Sequence, residues 1–184
     1  MSTFVVQAPK TLAIGLGANL PSKFGSPAST LVAVRVLLEQ TLYDWIGSTV
    51  KENITLEAIS EKVEMKWSPL FQTKPLGGPP SQPDFINAVV LISGPIMQSI
   101  SQSEKTILDL LERTRTIEKN LGRVRKNNYQ RWGPRIIDID LLSWGDLHVN
   151  KKTLILPHPR LIERAFVLAP LLAALNNEIS QPIQ

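Results

Sequence analysis

Between Arg135 and Leu142 the chain reads RIIDIDLL, and this stretch limits the folds open to it more than any other. Side chains on a strand alternate, so Asp138 and Asp140 share one face while Ile137, Ile139 and Leu141 share the other. Such a run requires a strand with one face in an apolar core and the opposite face turned to water, a ligand or counter-charge. At a rise of roughly 3.3 Å per residue the two aspartates have Cα atoms about 7 Å apart, and carboxylates that converge there repel unless a cation or a proton lies between them.

The rest of the chain supplies partners for that strand. TLAIGLGAN reads as a buried strand over Leu12 to Leu16 that ends in a glycine-rich turn, and the next segment spaces Leu31, Val34, Leu38 and Leu42 as one face of a helix. Lys51 to Glu64 is polar and irregular, a short helix or a surface excursion. Residues 65 to 72 and FINAVVLIS read as strands on either side of a loop, Gln72 to Asp84, that is rich in proline and glycine. A capping-box pattern from Ser101 to Glu104 opens a second long helix, and Gly122 closes it. After the strand from Ile136 to Leu142 come a turn at Trp144-Gly145-Asp146 and a short returning strand. Residues 158 to 176 read as a turn and a short helix. The order strand, helix, strand, strand, helix, strand predicts an α+β fold: a ferredoxin-like antiparallel sheet with helices packed on it as a single pair of layers. The 184 residues suit one domain, with a core over about 11–175 and flexible tails at 1–10 and 177–184.

A hydrophobic content of 43% and a charged content of 20% fit a soluble globular chain. The absence of cysteine excludes disulfides, thiolate metal sites and cysteine nucleophiles. No apolar run reaches bilayer length and the first ten residues lack signal-peptide features, so a cytoplasmic protein without a membrane partner is expected. The net charge of +4 is concentrated in Arg123, Arg125, Lys126, Arg131 and Arg135, a stretch without acids. Arginine forks match phosphate oxygens, and oxygen ligands without nearby His or Cys favour Mg²⁺, so ATP with Mg²⁺ would answer both charges. The blander alternative is that Asp138 and Asp140 simply pair with Arg131 and Arg135. Glu118 falls on the apolar face of the second helix, where it either snorkels to water, pairs with a loop arginine or holds a ligand. Asn87, in an apolar strand, needs its amide satisfied by backbone or ligand. His158 between two prolines is a structural or a ligand-facing histidine. GLGANL lacks the third glycine of a dinucleotide-binding loop. An RNA-binding sheet would need adjacent aromatics where FINAVVLIS offers Phe85 alone, so no nucleic-acid partner is expected.

RWGPRIIDIDLL, together with GLGANL, PLGGP…QPDFINAVV, IEKNLGRVR and LPHPRLIERAFVLAPL in that order, resembles the 6-hydroxymethyl-7,8-dihydropterin pyrophosphokinase family. The resemblance covers about Leu12 to Leu171 and departs from the family's usual residues at Lys74, Phe85, Thr153 and Pro159. It implies transfer of the β,γ-pyrophosphoryl group of ATP to 6-hydroxymethyl-7,8-dihydropterin, with release of AMP, in folate biosynthesis. By the same resemblance Asp138 and Asp140 would bind two Mg²⁺, while Arg123 and Arg135, with Arg125 and Lys126 nearby, would handle phosphate charge. Glu118, His158 and Arg164 would serve the nucleotide. Trp132 and Phe166 would sandwich the pterin, with Asn87, Phe85 and the groups around Thr73, Leu76 and Gly77 completing its pocket. A monomer acting on these two small molecules is the expectation.

Overall fold

In chain order the structure forms β1 (Leu12–Ala18), α1 (Pro27–Thr49), α2 (Leu56–Lys62), β2 (Glu64–Trp67), β3 (Phe71–Thr73), β4 (Phe85–Ser93), α3 (Pro95–Ser99), α4 (Glu104–Asn120), β5 (Asp138–Trp144), β6 (Val149–Lys151), β7 (Leu154–Leu156) and α5 (Ala165–Asn176). This computed structural model describes residues 9–50, 54–123, 132–161 and 165–176. Arg125, Lys126, Arg131 and Arg164 lie outside the described residues.

β4 is the long central strand, apolar almost throughout, as a strand buried on both faces should be. It pairs antiparallel with β1, from Leu12↔Ile92 to Ala18↔Ile86. Its other edge takes β2 and then β3, and β5 joins the free edge of β1. The spatial order is therefore β2 with β3, then β4, β1 and β5, all antiparallel, which is the ferredoxin-like arrangement.

Three local details differ from the sequence reading. The strand expected over 65–72 is split, because Pro69 has no N–H to give a ladder; Ser68 takes over, exchanging its own N–H with Val89 O and accepting Val89 N on its hydroxyl. The cap of α4 is Ser103 rather than Ser101, its hydroxyl accepting Thr106 N. Trp144 belongs to β5 and not to a turn. Register passes from Ile14↔Leu141 to Ala13↔Ser143, so Leu142 is an extra residue, a β-bulge that turns Trp144 to the helix side.

α1 and α4 cover one face of the sheet, burying Leu31, Val34, Leu38, Leu42, Ile107 and Leu110 against Ile14, Leu16, Val90 and Ile139. Each such side chain contributes roughly 1.5–3 kcal/mol. α5 lies on the opposite face, where Val167 and Ala174 pack on Ala13, Val89, Leu91 and Leu142. This partial third layer was not part of the two-layer expectation, and it covers only the apolar half of its face.

Trp45 of α1 meets Trp144 edge to face, with ring centroids 5.4 Å apart and both rings fully buried. The Trp144 indole N–H has no hydrogen-bond partner among the described residues, a burial that costs about 1–3 kcal/mol. Trp144→Ala should therefore destabilise the protein by about 3–5 kcal/mol. Trp144→Phe should cost much less, because both variants remove the unsatisfied donor but phenylalanine keeps an aromatic ring against Trp45. Urea unfolding of both variants checks this, and equal losses would contradict it.

Candidate active site

The half of the sheet face that α5 leaves bare is the floor of a cleft of about 820 Å³, counting its open mouth. Its emptiness is written in β1. Residues opposite one another in antiparallel strands share a face, and the partners of Asp138 and Asp140 are Gly17 and Gly15. Across β1, Gly17 also pairs with Asn87 and Gly15 with Val89. A Cβ on Gly17 would stand 3.1 Å from Asn87 Oδ1, so any larger residue would fill the space between the aspartates and the amide.

At one end of this floor lie the charges. Arg123 donates both to Glu118 Oε1 and to Asp138 Oδ1, and Arg135 donates to Asp138 Oδ2. Glu118 also accepts the N–H of Ile139 at 2.8 Å. Arg123 and Glu118 are almost wholly buried, with side-chain exposures of 7% and 2%. They stand behind Asp138 and are not among the residues that line the cleft. Burial works against the charge of Asp138, but Arg123 and Arg135 outweigh it and hold the carboxyl below its usual range. Asp140 moves the opposite way. The protein around it, and then the charges of Asp138 and Glu118, push its pKa up to about 7, although its side chain remains open to the cleft's solvent.

At the other end lie the flat and amide-bearing groups. Asn87 is buried and donates to Thr73 Oγ1 at 2.8 Å. Phe85 carries the Arg135 guanidinium over its ring at 5.6 Å. Trp132, with a positive φ of 61°, comes so close to Gly77 that a Cβ there would be 2.8 Å from its ring. Arg160 stacks over the same indole at 5.1 Å. His158 donates its backbone N–H to Leu142 O and accepts the Arg160 backbone N–H on Nδ1.

The cleft thus gathers Thr73, Leu76, Phe85, Asn87, Trp132, Arg135, Asp138, Asp140, His158 and Phe166 along one wall or another, and Gly77 packs under Trp132. Sequence reasoning missed Asn19, Gln82, Arg160 and the purpose of Gly15 and Gly17. The spacing of those two glycines was a usable signal, since two residues apart on a strand means one face. Asn19, Gln82 and Arg160 carried no signal, because their roles depend on partners far away in the chain.

The donor set fits a hard divalent cation. The Asp140 carboxyl group has no hydrogen bond or ion pair among the described residues and is crowded by two other carboxylates, so a cation is what would stabilise its charge. No group of three or more metal-ligating side chains occurs among the described residues. What faces the cleft from β5 is a pair of carboxylates, Asp138 and Asp140, and one or two carboxylates are what a Mg²⁺ completed by phosphate and water commonly takes from a protein.

The fold and the cleft define an α+β protein with an acidic and cationic floor beside an aromatic pocket. Comparison with known proteins makes this specific: residues 13–176 match the model of the 7,8-dihydro-6-hydroxymethylpterin-pyrophosphokinase family, and the chain belongs to that family. It is 34% identical over 139 residues to the 2-amino-4-hydroxy-6-hydroxymethyldihydropteridine pyrophosphokinase of Haemophilus influenzae, covering 71% of this chain and 79% of that one. The Bacillus subtilis protein of the same name is 40% identical over 106 residues, 58% of this chain and 56% of its own. The "Folic acid synthesis protein fol1" of Pneumocystis carinii is 35% identical over 152 residues, which are 78% of this chain but 18% of the fungal protein. The match therefore spans about half the length of the Bacillus protein and under a fifth of the fungal one.

A carboxyl whose native pKa lies above its unfolded value of 3.8 binds its proton more tightly when folded. Ionised Asp140 therefore costs native stability, and the cost grows as pH rises from there through about 7. Asp140→Asn should raise the melting temperature of the Mg²⁺-free protein at about pH 8, with the gain vanishing near about pH 4. Thermal scans across pH check this; a gain that is independent of pH would contradict it.

Proposed function

We propose that this protein transfers the β,γ-pyrophosphoryl group of ATP to the hydroxymethyl oxygen of 6-hydroxymethyl-7,8-dihydropterin, giving AMP and the pterin pyrophosphate in folate biosynthesis. The observation that carries the reading is the shared floor: two aspartates and Arg135 at one end, and Asn87, Phe85 and Trp132 at the other, with only glycine between them. A polyphosphate laid over the first end would bring its β-phosphorus toward a hydroxymethyl group on a flat ring held at the second.

Asp138 and Asp140 would hold Mg²⁺, two ions by family resemblance, which when bound supplies neutralisation of the triphosphate oxygens. Arg135 is stored on Asp138 by an ion pair and lies at the cleft wall. An arriving phosphate competes for its fork, so the guanidinium can pass from carboxylate to phosphate and follow the charge as the bond between the β-phosphorus and the AMP oxygen breaks. Arg123, anchored on Glu118, keeps Asp138 in place and its charge in balance. Phe166 and Trp132 offer faces for the pterin ring, and Asn87 an amide for its amide edge. Arg125, Lys126 and Arg164 are assigned to phosphate or nucleotide on sequence resemblance alone. Among the described residues no helix is long and apolar enough to cross a membrane; a monomer in the cytoplasm, acting on small molecules, completes the reading.

The decisive experiment is product analysis with ATP, Mg²⁺ and hydroxymethyldihydropterin. AMP formed in step with the pterin pyrophosphate supports the proposal, whereas free pyrophosphate would identify a nucleotidyltransferase instead. Asp140→Ala should abolish turnover with the fold intact. Asp138→Ala is a less clean probe, because it also breaks a buried ion pair and should cost about 3–5 kcal/mol of stability. Arg135→Ala should lower kcat far more than pterin affinity, since its work is on charge that develops during transfer. A loss confined to pterin affinity would reassign it.

A further inference from the structure

Two side chains outside every role assigned so far join the two ends of the cleft. Asn19, 2% exposed, follows β1, and Gln82 lies in the loop between β3 and β4. Asn19 Oδ1 accepts the N–H of Arg135 at 2.7 Å, and Arg135 O accepts the N–H groups of Asn19 and Leu20. Asn19 Nδ2 donates to Gln82 Oε1 at 3.3 Å and to Pro83 O at 3.0 Å. Gln82 Nε2 in turn donates to Gly77 O at 2.9 Å and to Trp132 O at 3.2 Å.

The directions of these bonds leave no freedom. The Arg135 N–H fixes which end of the Asn19 amide is oxygen; its nitrogen must then meet the Gln82 oxygen, and the Gln82 nitrogen must face two carbonyls. One chain of bonds thus ties Arg135, at the charged end, to Trp132 and Gly77, at the aromatic end. The backbone is shaped to admit it. Gly78 has a φ of 81°, and a Cβ there would lie 2.3 Å from Trp132 O and 2.7 Å from Gln82 Nε2.

We infer that Gln82, held by Asn19, is a positioning residue that couples the two ends of the cleft. When phosphate draws the Arg135 segment into place, the bond chain carries that placement to Trp132 and the Gly77 loop, so that each ligand improves the site for the other. The kinetic part of this inference rests on the pyrophosphokinase reading; the bond chain itself does not.

Gln82→Glu is the test, at about pH 8, where the side chain is ionised. It keeps the length of the side chain and the acceptor for Asn19, but sets a carboxylate against two carbonyl oxygens. Gln82→Met serves as an uncharged second variant. In protein labelled with 5-fluorotryptophan, the Trp132 fluorine resonance, assigned through Trp132→Phe, should shift or broaden in both variants while those of Trp45, Trp67 and Trp144 hold. The factor by which a non-hydrolysable ATP analogue with Mg²⁺ raises pterin affinity should fall to within about twofold of unity, and kcat should fall by about tenfold or more. A Trp132 signal that does not move would overturn the latch. So would a loss of pterin affinity of the same size with and without the nucleotide analogue, which would make Gln82 a wall of one pocket only. Should the wild-type protein release no pterin-dependent AMP, the activity reading fails, and the fluorine signal alone then decides whether the latch exists.

Discussion

Arg123 stands between Glu118 and Asp138, and much of the site depends on that bracket. Glu118 comes from the last turn of α4 and Asp138 opens β5, so one guanidinium fixes how the helix end meets the strand. Glu118 is locked a second time by the N–H of Ile139. A buried carboxylate or guanidinium alone would be costly, and the group is tolerable only because each member has its counterpart. A rigid Asp138 follows, and with it a strand that presents Asp140 to the cleft in a fixed direction.

Space for chemistry is the second constraint, and it is set by what is missing. A sheet face normally fills with side chains, yet here the strand beside the aspartates contributes Gly15 and Gly17. The cost is less side-chain packing in β1. The return is a floor on which two different chemistries can lie within reach of one another, charge on the β5 side and amide and ring surfaces on the β4 side. α5 marks the boundary, since it needs apolar contact and finds it only on Ala13, Val89, Leu91 and Leu142.

The loop between β3 and β4, residues 74–84, borders that floor and is tied to it by side-chain hydrogen bonds. The bonds from Asn19 through Gln82 to Trp132 join this loop to the charged end of the site. They also explain the two glycines at 77 and 78, one making room for the indole and the other for the amide that holds its carbonyl.

Sequence alone determined what depends on local pattern. The alternation in RIIDIDLL put both aspartates on one face, helical spacing picked out the buried stripes of α1 and α4, and the apolar position of Glu118 announced a carboxylate in need of a partner. Those features survive because a side chain's face is set by backbone geometry within a few residues. Tertiary structure decided everything that needed a partner from elsewhere. It chose Arg123 from the several cations available to Glu118, moved the cap of α4 to Ser103, bulged β5 at Leu142 so that Trp144 could meet Trp45, and sent α5 to the far side of the sheet. Asn19 and Gln82 were invisible beforehand for the same reason. A polar side chain shows its role only when the groups it bonds are brought beside it, and for these two the partners lie 63 and 116 residues away from Asn19 and 50 from Gln82.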